Sequence, residues 1–283
     1  MRPQDRRRKL VGRSLVPASV IAGTVAVFAA WGGQLDGNAH PMVGAMYADF
    51  NGNGQIDWFE LICSGSYAGR STDEPAEVFL TAGHCVAPVV VSLGIDDFWV
   101  SFDADPRDGA GRPEGLIAAS GFAWDPRFGH DLGNLYDSAV LLLPPGSVPG
   151  IDPVLLPPLG YLDDLRTSGE LQHAIFELVG YGVVPVWQQP GGTRFFFDGR
   201  RRRSLSEVKG LTLAWLLFNQ NTTATDLGGL CFGDSGSPQF VPGTRMIVST
   251  TTGGDRNCRA NNYNYRLDTP AAREFLGMFL DLP

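Results

Sequence analysis

Histidine and cysteine are scarce in this sequence, with four of each among 283 residues. No Cys-x-x-Cys motif and no Cys/His pair at ligand spacing occurs, which argues against a zinc site. Beyond residue 30, no apolar run is long enough to span a membrane. That part of the chain also lacks positive charge, since its 16 basic and 29 acidic residues give a net charge of about -13. Nucleic acid and anionic membranes are therefore not expected as partners.

The composition favours a globular chain rich in short strands. Hydrophobic residues make up 43% of the sequence, and the 36 glycines and 20 prolines supply many turns. A length of 283 residues suits one large domain or two small packed halves. The basic run Arg200–Arg203 predicts a solvated face of the second half.

The first 30 residues predict a secretory signal peptide. The basic stretch Arg6–Lys9 precedes the apolar run Leu15–Ala30, and small residues favour cleavage after Ala29. Arg7 and Arg8 also resemble a twin-arginine export signal. An uncleaved membrane anchor is the alternative. We expect a secreted protein, extracellular or periplasmic, with no membrane contact after signal removal.

All four cysteines lie beyond this segment. Because an exported protein meets an oxidising environment, two disulfides are expected. Three pairings are possible on paper. The sequential pairing, Cys63–Cys85 with Cys231–Cys258, closes loops of roughly 23 and 28 residues, each worth about 3 kcal/mol if unstrained. This is the pairing we predict.

The segment 49–60 matches the twelve-residue EF-hand calcium loop at seven positions. Its predicted flanks are strands, Val43–Tyr47 and Trp58–Ile62, and not the helices of an EF-hand. Asn51-Gly52 and Asn53-Gly54 also favour a β-hairpin, which is the alternative. The predicted structural calcium site comprises Asp49, Asn51, Asn53, Gln55, Asp57 and Glu60.

The segment Cys231–Pro238 places Ser235 between two glycines. Gly233 and Gly236 have no Cβ, so the backbone can turn sharply there and present its N–H groups outward. Amide groups beside a hydroxyl are the components of an oxyanion hole next to a nucleophile. The simpler interpretation is a turn between two strands.

One histidine follows a predicted strand in a small-residue turn. The strand Val78–Thr81 leads into Ala-Gly-His84-Cys85. A lone histidine is more often structural than catalytic. Here a disulfide at Cys85 would hold the turn rigid, as a general base requires.

These two motifs, Thr81–Cys85 and Gly233–Pro238, resemble the signatures of the chymotrypsin/trypsin family of serine endopeptidases. The similarity extends from about His40 to the end of the chain, and it is greatest to secreted bacterial trypsin-like members. It implies an all-β fold of two packed antiparallel six-stranded β-barrels with a short C-terminal helix.

The resemblance also implies the domain layout. A protease domain would cover residues 31–283. Its first barrel would span about 40–145, a Pro/Gly-rich linker 144–160, the second barrel about 161–268 and the helix about 270–281.

The implied catalytic triad is His84, Asp137 and Ser235. Asp137 is favoured because it precedes a continuous apolar run, where the family places its acid. Asp131 is the rival, but a Gly-Asn turn follows it. The N–H groups of Gly233 and Ser235 would form the oxyanion hole.

The resemblance implies a substrate pocket with an unusual floor. Gly229 stands where trypsin-like members carry an acid, so no simple preference for Arg or Lys is expected. Ser249 would hydrogen-bond the triad acid, and Thr250 and Thr251 would line the substrate edge. Two acids nearby in sequence could restore a basic preference: Asp226 and Asp255.

Two departures from the family stand out. Ser237 replaces the usual glycine after the nucleophile motif. No Ile-Val-Gly-Gly occurs to supply an N-terminal amine for Asp234, and Ala30–Gly33 is the nearest equivalent. Either signal removal doubles as activation, or Asp234 is satisfied differently.

The predicted function is a secreted serine endopeptidase that acts on proteins or peptides as a monomer. Catalysis of this kind needs no cofactor, so the only predicted ion is the structural calcium. The alternative is a protease-fold binding module that has lost its activity.

Overall fold

Short antiparallel strands dominate the part of the chain that the computed structural model describes, which is residues 33–108, 111–129, 136–186 and 193–283. The strands of the first half are β1 (Gln34–Leu35), β2 (Val43–Ala48), β3 (Leu61–Arg70), β4 (Glu77–Thr81), β5 (Phe98–Ser101), β6 (Ile117–Ala118), β7 (Gly121–Trp124) and β8 (Ala139–Leu143). Those of the second half are β9 (Ile175–Gly180), β10 (Val184–Val186), β11 (Arg194–Phe196), β12 (Arg202–Leu211), β13 (Trp215–Asn219), β14 (Pro238–Phe240), β15 (Ile247–Gly254) and β16 (Asn261–Arg266). The helices are α1 (Gly83–Pro88), α2 (Tyr161–Ser168), α3 (Thr222–Thr225) and α4 (Pro270–Leu276).

The N-terminal half is one curled sheet in the order β6-β5-β2-β3-β4-β8-β7. Every residue of β4 and β8 is buried, which explains why β8 is apolar throughout. These two strands pair antiparallel with Thr81 opposite Ala139. The chain leaving β4 therefore lies beside the chain entering β8.

The C-terminal half is a closed barrel of six strands. Its order is β12-β13-β16-β15-β14-β9, and β12 also pairs with β9 to close the ring. Strand β1 pairs antiparallel with the first residues of β12. The predicted all-β, trypsin-like fold is confirmed, although the N-terminal sheet has seven strands and is not closed by hydrogen bonds within the described residues.

One hydrophobic core joins the two halves. Tyr181, Phe240 and Ile247 of the C-terminal half belong to the same buried cluster as β4 and β8. Phe275 of α4 packs in this cluster too. The fold therefore places a rigid, shared wall between the halves, where the loops after β4 and before β14 meet.

The C-terminal helix begins as its sequence predicts but is shorter. The side chain of Thr269 accepts the N–H of Ala272, and Pro270 occupies the first turn. The helix ends at Leu276, because Gly277 is a poor helix former and terminates it. Residues up to 281 were expected to continue it.

Trp58–Ile62, predicted as a strand, is divided. Trp58–Glu60 forms a 3-10 turn, and β3 begins only at Leu61. The reason is local: Asp57 and Glu60 form a capping box that holds the turn.

Arg200–Arg203 does not form a solvated face. Arg201 is fully buried and its Nε donates to Asp36 Oδ2 at 2.9 Å. Its Nη1 donates to the carbonyl oxygens of Val43 and Phe102, each at 2.9 Å. These bonds tie the C-terminal barrel to the N-terminal sheet.

No helix among the described residues is long and apolar enough to cross a membrane. The predicted signal peptide, the sequence Ala30-Trp31-Gly32 and the rival acid Asp131 lie outside the described residues.

Candidate active site

His84 is held at the start of a short helix by its neighbours in sequence. α1 begins directly after β4, with Ala82 as its N-cap residue. The adjacent Cys85 forms a disulfide with Cys63 of β3. The predicted pairing is confirmed, and it anchors the histidine to the sheet.

Asp137 lies just before β8 and contacts His84 directly. Its Oδ2 is 2.9 Å from His84 Nδ1, and its Oδ1 accepts the backbone N–H of His84 at 2.8 Å. The Thr81–Ala139 pairing of β4 with β8 produces this contact. The carboxyl group is 1% exposed.

Burial and charge act against each other in this pair. Burial disfavours the ionised form of both groups, but their mutual attraction and hydrogen bonds outweigh it. The pKa of Asp137 is lowered and the pKa of His84 is raised. The carboxylate thus fixes the imidazole and stabilises its protonated form.

Thr252, and not Ser249, lies beside this acid. The hydroxyl of Ser249 is buried and donates to Gln239 Oε1 at 2.8 Å. The hydroxyl of Thr252 helps to lower the pKa of Asp137, although it makes no hydrogen bond of ordinary geometry. The role expected for Ser249 is therefore corrected. Ser249 faces Gln239, and the hydroxyl beside Asp137 belongs to Thr252, three residues further along β15.

Ser235 lies in the loop between Cys231 and β14, opposite His84. Cys231 forms the second predicted disulfide, with Cys258, and this pairing is also confirmed. Both Ser235 and His84 line one cavity of about 320 Å³. Within the described residues, no hydrogen bond joins the Ser235 hydroxyl to the imidazole. Such bonds are often long in the absence of substrate.

Ser64 connects this loop to the N-terminal sheet. Its N–H donates to the carbonyl oxygen of Ser235 at 2.8 Å, and its hydroxyl donates to that of Gly233 at 2.9 Å. The same hydroxyl accepts the N–H of Tyr181 at 3.1 Å. Sequence reasoning missed Ser64, whose only local signal is its place next to Cys63.

The backbone of the serine loop requires its glycines. Gly233 has a φ of +92° and Gly236 a φ of +77°, conformations that L side chains rarely adopt. A Cβ on Gly236 would overlap Thr81 Oγ1. Among the described residues, the N–H groups of Gly233 and Ser235 donate to no other group, as the donors of an oxyanion hole must.

Asp234 is buried, and no cation among the described residues contacts it. Its carboxylate accepts the N–H of Gly182 at 2.7 Å and that of Cys231 at 2.9 Å. Gly180 and Gly182 make room for it, because a Cβ on either would overlap its oxygens. Burial raises the pKa of Asp234 to about 6, and the backbone hydrogen bonds only partly oppose this. Two backbone N–H groups thus bind this acid in the described structure. An N-terminal amine released by signal removal stays a prediction, because Ala30-Trp31-Gly32 lie outside the described residues.

Gly229 does not form the floor of the cavity beside Ser235, although the family resemblance implied that it would. Gly229 is buried and does not line it, because the side chain of Gln220 occupies that space. Asp226 is exposed at the end of α3 and does not line it either. The residues that line this cavity include Leu230, Phe232, Gly254, Asp255 and Asn262.

Of the predicted substrate-edge residues, one lines this cavity. Thr251 does so, and its backbone carbonyl accepts the N–H of Gly236 at 2.8 Å. Thr250 is fully buried and does not line the cavity, because successive side chains of a strand lie on opposite faces of the sheet.

The 49–60 loop is a compact turn held by its acids. The carboxylate of Asp49 accepts three following backbone N–H groups at 2.7 to 3.2 Å. Glu60 is 1% exposed and accepts the N–H groups of Asn51 and Asp57 at 3.1 and 2.9 Å. The first and last acids of the motif thus fold the same turn, and calcium binding there stays a prediction.

Cys63, His84 and Cys85 have ligand atoms within 4.8 Å of one another. Both sulfurs are in the disulfide, so neither can act as a thiolate ligand. This cluster is therefore no metal site while the disulfide is intact.

Comparisons with known proteins place the fold. No family model matches the sequence, and no curated protein matches it. Solved structures do match. HL collagenase is 14% identical with a TM-score of 0.57, covering 89% of this chain and 98% of its own. Human heparin binding protein is 16% identical with a TM-score of 0.58, covering 87% and 94%.

Both neighbours are chymotrypsin-fold proteins, yet one is named as a protease and the other for binding. At sequence identities this low, the similarity supports the fold alone. The chemistry has to be inferred from the residues of the site. The chain has the trypsin-like fold.

Proposed function

We propose that this protein is a serine endopeptidase with Ser235 as nucleophile, His84 as base and Asp137 as the orienting acid. The observation that carries the proposal is that His84, paired with the buried Asp137, lines the same cavity as Ser235. A base fixed by a buried carboxylate beside a hydroxyl is the arrangement of nucleophilic acyl transfer.

The proposed reaction follows from these positions. His84 removes the proton of Ser235 as its oxygen attacks the peptide carbonyl carbon. The N–H groups of Gly233 and Ser235 bind the resulting oxyanion, at about 3 kcal/mol per donor in comparable sites. His84 then gives the proton to the leaving amine. Water, deprotonated by the same histidine, hydrolyses the acyl-enzyme.

The proposed setting is outside the cell. Two disulfides persist in oxidising compartments, and the basic and apolar N-terminal segment is the predicted export signal. Substrates would be proteins or peptides, and the enzyme would act as a monomer without a catalytic cofactor.

The alternative is a binding module on the same fold. Two observations favour it: Ser235 makes no hydrogen bond to His84, and one similar structure is named for binding heparin. The intact Ser/His/Asp set favours the enzyme, since loss of activity would release the constraint on all three residues.

A fluorophosphonate probe separates the two functions. The processed protein should become labelled at Ser235, with Ser235→Ala as the control. His84→Ala should slow labelling by orders of magnitude, because the hydroxyl loses its base. Labelling of folded protein no greater than that of Ser235→Ala would overturn the enzyme in favour of the binding module.

A further inference from the structure

Asn262 presents an unpartnered hydrogen-bond donor at the wall of the cavity that contains Ser235 and His84. It lies on β16, is 1% exposed and lines this cavity. Its Nδ2 has no hydrogen-bond partner among the described residues. Buried amide groups are usually paired, so Nδ2 is free to bind an acceptor that reaches it from the cavity.

The orientation of this amide is fixed by its neighbours. Asn264 Nδ2 donates to the backbone carbonyl oxygen of Leu216 at 3.0 Å, and a carbonyl oxygen can only accept. The same Nδ2 donates to Asn262 Oδ1 at 3.0 Å. Exchanging the two ends of either amide would set donor against donor or acceptor against acceptor. Nδ2 is therefore the free end of Asn262.

Gly254 packs closely against Asn262, with no side chain between them. A Cβ on Gly254 would lie 3.3 Å from Asn262 Cβ and 3.4 Å from Gln220 Nε2. Gln220 itself is fully engaged: Nε2 donates to Asp255 and to the carbonyl of Asn261, and Oε1 accepts the N–H of Leu230. Of these two side-chain amides, only that of Asn262 has an N–H donor without a partner among the described residues.

Asp255 supplies the complementary acceptor. It lines the cavity, and hydrogen bonds from backbone N–H groups lower its pKa, against burial that raises it, so it is ionised at neutral pH. Its Oδ1 accepts four N–H groups, whereas Oδ2 accepts only that of Arg259. No Lys or Arg is among the described residues that line this cavity.

Three classes of side chain can be compared against this wall. A carboxylate would satisfy Asn262 Nδ2 but would meet the negative charge of Asp255. A lysine or arginine would satisfy Asp255 but would set a donor against Asn262 Nδ2. A carboxamide offers an acceptor to Asn262 and a donor to Asp255. The apolar lining from Leu230 and Phe232 suits its methylene groups.

We propose that this cavity holds the side chain of the residue whose carbonyl is attacked, and that it selects glutamine. The proposal rests on the proposed function, and it makes Asn262 a specificity-determining residue.

The test is a set of fluorogenic peptides that differ only at the residue before the cleaved bond: Gln, Glu, Lys or Leu. We expect kcat/KM for Gln to exceed each of the others by about tenfold or more. Asn262→Asp replaces the donor with a carboxylate oxygen, so preference should move to Lys. Asn219→Asp on β13, which does not line the cavity, is the matched control and should keep the Gln preference.

Labelling by a fluorophosphonate probe is measured on the same samples. Labelled wild-type protein that prefers Glu, Lys or Leu would overturn the glutamine proposal and leave the endopeptidase standing. Absence of both labelling and cleavage would overturn both. The wild-type profile decides the matter even if Asn262→Asp does not fold.

Discussion

The hydroxyl of Ser64 donates to the carbonyl oxygen of Gly233 at 2.9 Å, across 169 positions of sequence. Gly233 supplies one N–H of the proposed oxyanion hole, and Ser64 belongs to the strand that carries Cys63. A single side chain thus aligns the serine loop of one half with the histidine of the other.

Replacing Ser64 should therefore affect turnover more than substrate binding. In Ser64→Ala we expect kcat to fall by about tenfold with little change in KM, because the oxyanion donor is displaced. The free energy of unfolding should fall by about 1 kcal/mol. Steady-state kinetics and urea unfolding measure both.

Ser66→Ala is the matched control for this change. Ser66 lies two residues along the same strand, is fully buried, and its hydroxyl has no partner among the described residues. Equal losses of kcat in the two variants would contradict a specific role for Ser64.

The raised pKa of His84 predicts an alkaline activity profile. The imidazole must be neutral to accept the serine proton, so kcat/KM should rise with pH through a midpoint above 6.5, the ordinary value for histidine. In Asp137→Asn the midpoint should move to lower pH, because the stabilising charge is gone. Its kcat should fall by about 10³ to 10⁴.

A pH–rate series from pH 5 to 9 tests this prediction. Asp73→Asn, the same charge change at an exposed position, should leave the profile unchanged. A wild-type midpoint at or below pH 6.5 would show that the Asp137 carboxylate does not control the histidine.

Asp234 should lower stability as the pH rises. Its pKa is about 6 in the folded protein against an ordinary value of 3.8. Below about pH 4 the carboxyl is protonated in both states, so the shift has no effect. Between pH 4 and 6 the unfolded chain ionises first, and the folded state loses about 3 kcal/mol relative to it, a loss that persists above pH 6.

Urea unfolding of the wild type and Asp234→Asn at pH 4 to 7 isolates this contribution. Other carboxyl groups titrate in both proteins and cancel in the difference. We expect the stability of the wild type relative to the variant to decrease with rising pH. An increase would mean that a cation pairs with Asp234 in the folded protein.

Calcium should stabilise the protein through the 49–60 loop. At a calcium concentration a hundredfold above Kd, Tm should rise by about 5 °C relative to protein in chelator. Glu60→Gln should remove this rise, because the motif loses its bidentate ligand. Asp97→Asn, an exposed acid outside the loop, should keep it. A wild-type Tm that does not respond to chelator would exclude the site.

Features that depend on residues close together in the sequence could be predicted, whereas features that depend on contacts between distant segments could not. His84, Ser235 and the four cysteines belong to short motifs, so their local pattern was enough to propose the nucleophile and base and to predict both disulfides. Asp137 was proposed from the apolar strand that follows it together with the family resemblance. Thr252 was missed because its position beside the acid depends on how β15 pairs with β16, and one sequence does not show this pairing.

Residues that act through distant contacts gave no local signal. Arg201 resembled its three arginine neighbours, and only the fold reveals that it is buried against Asp36. Asn262 is one of several asparagines in β16, and its unpartnered end depends on Leu216 of another strand. Such roles follow from strand register, which one sequence does not specify.

The pairing of Thr81 with Ala139 has a consequence for how this site can vary. The histidine and the acid lie at adjoining ends of two neighbouring strands. The hydrogen bonds between β4 and β8 therefore set their spacing, and the length of the chain that connects them does not. Between them along the chain, β5, β6 and β7 belong to the same sheet and are constrained by it, but the loops that connect these strands can change in length and leave the pair intact. These loops are where a new binding surface could be added beside the site without changing its chemistry.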